Sequence, residues 1–207
     1  MKILAWNCPG AAKPPFANYT KLLLRQHNLD ILCFLETRLS ENAGNHIRQF
    51  FGPAWDFYMI LANGLLGGIV IVWKKFLGNV NFYNIDGQVA FGVITLNHGP
   101  SWILGVVYAS TSVFQRRFLW SQVQDVLFLQ IPLFLIGDFN SILNASGKKG
   151  GKPFTVNHDV REFRAFLRSI DLIDLGFSGP LILGVITPLV LLGSENGLTV
   201  DLLMING

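Results

Sequence analysis

Polar side chains stand at three points of the sequence where a strand-like apolar run ends. Asn7 ends one such run, Glu36 ends a second, and Asp138 and Asn140 end a third within the tetrapeptide GDFN. A carboxylate in this position is costly to desolvate unless it meets a cation, a hydrogen-bond donor or water. For either acid taken alone, strand-end solvation or capping of the next element is the simpler interpretation.

Taken together, these residue types suit the hydrolysis of a phosphoester with a divalent metal ion. That reaction needs hard oxygen ligands for Mg²⁺, a base to orient water, and neutral donors for the phosphoryl oxygens. Glu36, Asp138 and Asn140 supply those types. Asp138 and Asn140 are two residues apart, so on an extended segment both side chains would project from the same face into one pocket.

The elements that must position these residues can be predicted from hydrophobic periodicity. Residues 2–7 are predicted to form a strand that enters a Pro/Gly loop, and residues 16–27 a helix. Residues 29–35 are a nearly continuous apolar run, which is typical of a strand covered on both faces. A strand, a helix and a strand at this spacing predict a right-handed crossover.

The rest of the chain mixes strands and helices without strict alternation. Residues 114–129 and 160–170 are predicted to be helices, and residues 133–136 a buried strand. Between residues 55 and 108, short strand-like stretches predict a largely antiparallel section: WDFYMIL, GGIVIVW, VNFYNI, VAFGVITL and SWILGVVY. This pattern favours an α+β sandwich over a Rossmann fold.

Composition limits the classes of protein to which the chain can belong. Hydrophobic residues make up 51% of the 207 residues and charged residues 14%, which is enough apolar surface for one folded domain. No apolar run reaches the roughly 18 to 20 residues that span a membrane, and no signal peptide is recognised. Two cysteines, Cys8 and Cys33, are too few for a disulfide framework. We therefore expect an intracellular protein with no membrane association.

Five segments resemble the endonuclease domain of plant-type LINE (non-LTR) retrotransposons, within the endonuclease/exonuclease/phosphatase superfamily. They are KILAWNCPG, DILCFLETRL, VVYAS, LIGDFNSIL and DLIDLGFSGP, and their order and spacing match over about residues 1–180. The resemblance implies an α+β fold, a four-layer α/β/β/α sandwich of two mixed β-sheets flanked by helices. We expect this domain at residues 1–180 and expect it to be C-terminally incomplete.

The same resemblance implies a role for each polar residue. Glu36 resembles the principal metal ligand and Asn7 the strand-end residue that helps to shape the metal site, for Mg²⁺ or Mn²⁺. Asp138 resembles the residue that positions or activates the attacking water, Asn140 its partner in binding the phosphate, and Tyr108 the tyrosine beside the scissile phosphate. Without the resemblance, Tyr108 could equally be a half-buried strand aromatic and Asn7 a cap of the following turn.

A Gly- and Lys-rich stretch follows GDFN, as it does in these elements. Its lysines Lys148, Lys149 and Lys152 could contact the phosphates of a DNA partner, although an ordinary solvated loop is the simpler interpretation. In an intact element a reverse transcriptase domain is expected downstream. We expect a monomer, located in the nucleus if it is functional.

The sequence departs from the family pattern at its C-terminal end. Members of the superfamily end with a strand and loop that carry an Asp-His pair, and no such pair follows Asn140. Residues 181–207 lack aromatic and basic residues, and a second reading frame can encode the segments that the related elements have next. Residues 182–187, written ATA CTT GGA GTA ATA ACT, re-read as TWSNN, and residues 194–200 can re-read as RERLDR. We therefore predict that residues 181–207 are an aberrant, frame-shifted tail.

Three functions remain open from the sequence. The first is a Mg²⁺-dependent DNA endonuclease domain, impaired because loss of one member of a cooperating catalytic set can remove nearly all activity. The second is a non-catalytic pseudogene remnant that at most binds nucleic acid or metal weakly. The third, more remote, is a phosphoesterase of the same superfamily, against which the LINE-like context of GDFNSIL argues.

Overall fold

Helices and strands alternate irregularly along the chain. The computed structural model describes residues 1–8, 10–62, 67–141, 155–174, 186–191 and 201–206. The helices of these residues are α1 (Pro14–His27), α2 (Ala43–Phe51), α3 (Val113–Leu127) and α4 (His158–Ser169). Their strands are β1 (Lys2–Asn7), β2 (Ile31–Leu35), β3 (Trp55–Ile60), β4 (Ile69–Lys74), β5 (Gly78–Asn84), β6 (Val89–Leu96), β7 (Ser101–Tyr108), β8 (Leu133–Asp138), β9 (Ile173–Asp174), β10 (Ile186–Leu191) and β11 (Asp201–Asn206).

The strands form two mixed sheets. The first has the order β11-β1-β2-β4-β3, in which β1 runs parallel to β11 and β2, whereas β4 is antiparallel to β2 and β3. The second has the order β5-β6-β7-β8-β10-β9, in which β7 and β8 are parallel and the other described pairs are antiparallel. The parallel pairing of β1 and β2, with α1 between them in the chain, confirms the predicted strand-helix-strand unit.

Three apolar cores separate four layers. The central core lies between the sheets and contains residues of β1, β2 and β4 on one side and of β6, β7 and β8 on the other. A second core lies between the first sheet and helices α1 and α2. A third lies between the second sheet and helices α3 and α4. This arrangement is the predicted α/β/β/α sandwich, and no helix of the described residues is long and apolar enough to cross a membrane.

Local sequence explains where the helices begin and end. The Ser112 hydroxyl caps α3 by accepting a hydrogen bond from Gln115 N at 3.5 Å. The Asn157 side chain caps α4 by accepting one from Val160 N at 3.0 Å. Helix α1 ends at Asn28, whose φ of 46° is a left-handed conformation that asparagine tolerates.

The predicted elements are present, with ends shifted by up to two residues, and α2 is an additional helix. Periodicity does not indicate α2, because its sequence AGNHIRQFF has the weak helix formers Gly44 and Asn45 in its first turn. Of its residues, Ala43 and Ile47 are buried. Its place is set by packing on the first sheet rather than by a long apolar stripe.

Strands β10 and β11 come from the segment that the sequence indicates as a frame-shifted tail. The backbone of β10 pairs with β8, and that of β11 pairs with β1, so each extends one sheet. The register sets Asn206 opposite Asn7. The predicted division at residue 180 concerns the coding frame, which strand pairing does not test, and it stays a prediction.

An aromatic cluster beneath the GDFN segment connects the third core to the end of β8. Phe139 stacks with Phe163 at 5.4 Å between ring centroids and with Trp120 at 6.3 Å, and Trp120 stacks on Phe163 at 5.1 Å. Phe139 lies between Asp138 and Asn140 and is 1% exposed. The packing of α3 and α4 therefore anchors the backbone that carries both polar residues.

We expect Phe163→Ala to lower the free energy of unfolding by about 3–5 kcal/mol, the usual effect of truncating a buried aromatic residue. Phe163 is 1% exposed, whereas Phe128, at the end of α3, is 85% exposed and provides a matched control. Phe128→Ala should change the free energy by less than about 0.5 kcal/mol. Urea unfolding followed by tryptophan fluorescence measures both. Equal losses in the two variants would contradict the anchoring role of the cluster.

Candidate active site

The ends of two parallel strand pairs, one from each sheet, meet at one edge of the sandwich. In the first sheet Asn7 is opposite Leu35, the residue before Glu36. In the second sheet Tyr108 is opposite Asp138. A hydrogen bond from Asn7 Nδ2 to Asp138 Oδ2, 3.4 Å long, crosses from one sheet to the other. The side chains indicated by the sequence therefore come from separate sheets to a common place.

The carboxylate of Asp138 accepts a hydrogen bond at each oxygen. Asn7 Nδ2 donates to Oδ2, and the backbone N–H of Asn140 donates to Oδ1 at 2.8 Å. Burial raises the pKa of Asp138, the Asn140 hydrogen bond lowers it, and the negative charge of Glu36 raises it. The net pKa lies above its ordinary value, which moves this carboxylate towards the range in which a general base works at neutral pH.

The chain turns immediately after Asp138, so the prediction of an extended segment through Asn140 is wrong. Asn140 has a φ of 46°, and its side-chain amide donates to the Ala109 carbonyl at 2.6 Å. Ala109 N donates in turn to the Asp138 carbonyl at 2.8 Å. These bonds join the turn to the end of β7. Asn140 therefore holds Asp138 through its backbone N–H and retains one free side-chain N–H among the described contacts.

Gly137, the glycine of GDFN, allows β7 and β8 to approach closely beside the site. Its φ is 149°, and a Cβ atom at this position would overlap the carbonyl oxygen of Val107. Any other residue would push β8 away from β7. Because Tyr108 and Asp138 follow these two residues directly, the glycine sets the spacing between them.

Glu36 lies in a tight loop that is held from both sides. Its carbonyl accepts a hydrogen bond from Gly10 N at 3.0 Å, and Thr37 N donates to Gly68 O at 3.2 Å. Glu36 and Arg38 both have a positive φ, 55° and 54°. The Arg38 guanidinium donates to the Glu36 carboxylate, with Nη2 2.6 Å from Oε1.

Arg38 is a residue of this site that the sequence analysis does not single out. Its side chain is 38% exposed, that of Glu36 is 18% exposed, and its positive charge also lowers the pKa of Tyr108. The available signal is its position two residues after Glu36 within DILCFLETRL. On a strand that spacing sets two side chains on one face, but here both residues lie in a loop.

Tyr108 is half-buried and remains a phenol at neutral pH. Burial raises its pKa, the charges of Glu36 and Asp138 raise it further, and Arg38 opposes them. These effects require Glu36, Arg38 and Asp138 to lie within electrostatic range of the ring, because exposed charges are screened beyond about 10 Å. The structure thus brings Asn7, Glu36, Tyr108, Asp138 and Asn140 together, while their roles stay predictions.

The residues present suit a divalent cation. Asn7 Oδ1 is a buried acceptor with no hydrogen-bond partner among the described residues, and such an atom is costly to bury unless something binds it. The carboxylates of Glu36 and Asp138 add hard oxygen donors of the kind that Mg²⁺ and Mn²⁺ prefer. The described residues contain no cluster of three or more His, Cys, Asp or Glu side chains suited to a metal. The candidate donor set is therefore two carboxylates and an amide oxygen.

The sequence also predicts a lysine-rich phosphate contact, and it contains one histidine after Asn140. Lys148, Lys149 and Lys152 lie outside the described residues. His158, the one histidine after Asn140 in the sequence, begins α4 and contacts Glu162, with Nδ1 3.6 Å from Oε2. His158 of α4 therefore does not take the place of the histidine of the Asp-His pair.

Comparisons with known proteins agree on one fold. A model described as the Endonuclease/Exonuclease/phosphatase family matches residues 4–184. No curated protein sequence matches significantly. The solved structures with a similar fold include the 3′ phosphatase NExo from Neisseria bound to a product DNA hairpin, at 16% identity and a TM-score of 0.65, with 91% of this chain and 85% of that chain covered.

Two AP endonucleases are also similar in structure. The enzyme from Archaeoglobus fulgidus is 13% identical, with a TM-score of 0.65 over 91% of this chain and 85% of its own. The enzyme LMAP from Leishmania major is 13% identical, with a TM-score of 0.69 over 90% of this chain and 77% of its own. At these identities the likeness concerns the fold alone.

If Glu36 and Asn7 bind the cation, Mg²⁺ should raise the melting temperature of the wild-type protein. At a free concentration of roughly 100 times its Kd, an ion that binds only the folded protein raises the free energy of unfolding by about 2.7 kcal/mol. Glu36→Gln should remove most of that stabilisation. Glu41→Gln, which changes an exposed acid five residues away, should retain it. An unchanged Mg²⁺ dependence in Glu36→Gln, measured by differential scanning fluorimetry, would count against the assignment.

The raised pKa of Asp138 has a consequence for stability. The folded protein holds the Asp138 proton more tightly than the unfolded chain, so this stabilisation is fully present below the ordinary pKa of 3.8 and is lost as the pH rises through the folded pKa. From about pH 4 to 7, metal-free wild type should therefore lose free energy of unfolding relative to Asp138→Asn. Urea denaturation in EDTA measures the difference, and parallel pH curves would contradict the prediction.

Proposed function

Because the chain belongs to the endonuclease/exonuclease/phosphatase family, we propose that it is a divalent-metal-dependent phosphodiesterase domain that acts on DNA. The observation that carries this proposal is the Asp138 carboxylate, which is fixed by a donor at each oxygen and lies beside Glu36, Tyr108 and the unpartnered Asn7 oxygen. One site then combines a candidate base, a cation-binding group and a hydrogen-bond donor for the phosphate. Phosphodiester hydrolysis uses all three.

In this proposal Asp138 orients and deprotonates the attacking water. Its raised pKa suits a base, and its two hydrogen bonds fix the direction of its free lone pairs. Asn140 keeps the carboxylate in place through its backbone N–H, and the remaining side-chain N–H is available to a phosphate oxygen. Tyr108, which its raised pKa keeps protonated, donates its hydroxyl hydrogen to another phosphate oxygen.

Glu36 and the Asn7 side-chain oxygen are the proposed cation ligands, for Mg²⁺ or Mn²⁺. When bound, such an ion stabilises charge on phosphoryl oxygens and lowers the pKa of water. Arg38 already contacts Glu36 and remains close enough to contribute a second positive charge beside the phosphate. Asn7 has a second task, because its amide N–H orients Asp138.

We further propose that the domain derives from a plant-type LINE retrotransposon and is impaired. The segments KILAWNCPG, DILCFLETRL and LIGDFNSIL support the origin. The impairment is supported by the absence of an Asp-His pair after Asn140. Loss of one donor that stabilises the transition state commonly lowers the rate by about 10² to 10³. The backbone of β11 ends opposite Asn7, with Asn206 as its register partner.

Two alternatives have specific support. The lack of an Asp-His pair within residues 141–207 favours a non-catalytic remnant that binds nucleic acid or metal weakly. The similarity in fold to a 3′ phosphatase from Neisseria favours a phosphoesterase that acts on terminal phosphates rather than within the DNA strand. Assays on two substrates distinguish these alternatives from the endonuclease. A remnant cleaves neither substrate, and a phosphatase releases inorganic phosphate without nicking DNA.

The 207-residue protein should nick supercoiled plasmid at a rate about 10² to 10³ times lower than a variant whose tail is restored to frame and extended through an Asp-His strand. Activity of both proteins should require Mg²⁺, cease in EDTA and disappear in Asp138→Ala, which excludes a contaminating nuclease. Release of phosphate from a 3′-phosphorylated oligonucleotide tests the phosphatase alternative. Equal Mg²⁺-dependent nicking by the two proteins would contradict the proposed impairment.

Lack of nicking by the restored protein would contradict the endonuclease proposal itself. Integrity of the fold is checked first by circular dichroism and by the melting temperature of each protein. The Asp138→Ala variant is informative only where its melting temperature lies within a few degrees of its parent. With that condition met, a folded restored protein that neither nicks plasmid nor releases phosphate from the oligonucleotide leaves the remnant as the function.

A further inference from the structure

A cavity of about 350 Å³ lies between α1, α2 and the outer face of the first sheet. Its walls are mostly apolar, and four phenylalanines form a connected aromatic series across them. Phe16 meets Phe34 at 4.9 Å between centroids, Phe34 meets Phe51 at 6.4 Å, and Phe51 meets Phe50 at 4.9 Å. The volume falls in the range of pockets that bind small molecules, roughly 300–1,000 Å³.

This cavity is continuous with the loop that carries Glu36. Thr37 and Leu39 contribute to its wall, and Ala11, also in the wall, donates its N–H to Thr37 O at 2.8 Å. Thr37 is 1% exposed, and its hydroxyl has no hydrogen-bond partner among the described residues. A group bound in the cavity would therefore lie beside the loop that carries the proposed cation ligand Glu36.

The two helices beside the cavity carry basic and no acidic side chains. Helices α1 and α2 contain no acidic residue, and Lys21, Arg25 and Arg48 lie on them. Lys21 Nζ is 5.5 Å from the centroid of Phe50, so one cation stands over an aromatic wall. Lys13 is the residue at the N-terminus of α1, directly after wall residues. The loop before α2 contains two acids, Glu36, which pairs with Arg38, and Glu41. This surface suits a polyanion that also carries flat apolar groups.

We propose that the cavity receives one unstacked base of a single-stranded nucleic acid whose backbone passes over Lys13 and Lys21. Aromatic walls stack on the faces of any base, and neighbouring cations contact the phosphates, which is how single strands are bound without sequence preference. Small side chains, among them Ala17 and Ala43, form the rest of the wall, and the volume is large enough for a planar ring against the phenylalanines. The inference rests on the proposed function and deepens it, because it gives the path of a single DNA strand that leaves the active site along α1.

Binding in EDTA tests the inference without any cleavage. Fluorescence anisotropy compares a short labelled oligothymidylate with the same backbone carrying abasic sites. The wild-type protein should bind the oligothymidylate at least about tenfold more tightly, the effect of one stacked base. Ala17→Phe, which fills the cavity from α1, should abolish that difference, and Ala12→Phe provides a second filling variant in case the first does not fold.

The contribution of the backbone is measured separately. Lys21→Gln should weaken binding of both oligonucleotides alike and reduce the slope of log affinity against log salt by about 0.7, the value for one single-strand phosphate contact. Lys75→Gln is the matched control, because Lys75 is exposed at the opposite end of β4 from the Glu36 loop. Equal behaviour of these two variants would overturn the assignment of Lys21.

Failure of this inference is distinguishable from failure of the proposed function. Equal affinity for the two oligonucleotides, or a base preference unchanged by both filling variants, would show that the cavity is a packing void only. Plasmid nicking by the restored protein would stand in that case. Conversely, base-dependent binding that survives in Asp138→Ala, together with absent nicking, would retain the inference and reject the endonuclease.

Discussion

The Asp138 carboxylate is buried at the junction of two sheets and near a second carboxylate, and the groups around it offset the cost of placing its charge there. Burial raises the pKa of Asp138, and the charge of Glu36 raises it further. Arg38 neutralises Glu36 directly, while Asn7 and the Asn140 backbone donate to Asp138. These compensating groups come from both sheets, so they depend on the strand register. The three apolar cores fix this register, and they therefore also hold in place the groups that stabilise the two carboxylates.

The sequence predicts the layers well because burial imposes simple periods on it. All five residues of β2 are buried, and the apolar run that ends at Leu35 reports this directly. Helix α2 escapes prediction because contacts with the sheet, including those of Ile47, substitute for a long apolar stripe. The pairing of β11 with β1 also escapes prediction, because no local pattern reveals which strand a distant segment will join.

For the site, residue type could be predicted but local conformation could not. Strand ends identify Asn7, Glu36 and Asp138, since a polar side chain after a buried run needs a partner. The contact between Arg38 and Glu36 and the turn at Asn140 depend on positive φ angles. Those angles are imposed by hydrogen bonds from distant backbone at residues 10–11, 67–68 and 109, which the local sequence does not encode.

The left-handed backbone at Glu36 and Arg38 also bears on the molecular evolution of this chain. Such conformations cost of order 1–3 kcal/mol at a residue other than glycine. Selection for a stable fold alone would favour glycine or asparagine at both positions, whereas selection for the proposed cation-binding role of Glu36 would oppose it. In a lineage that has lost the reaction, these two codons should be among the first at which substitutions are favoured rather than merely tolerated. The amino acids at positions 36 and 38 would then indicate whether selection for the reaction has been relaxed.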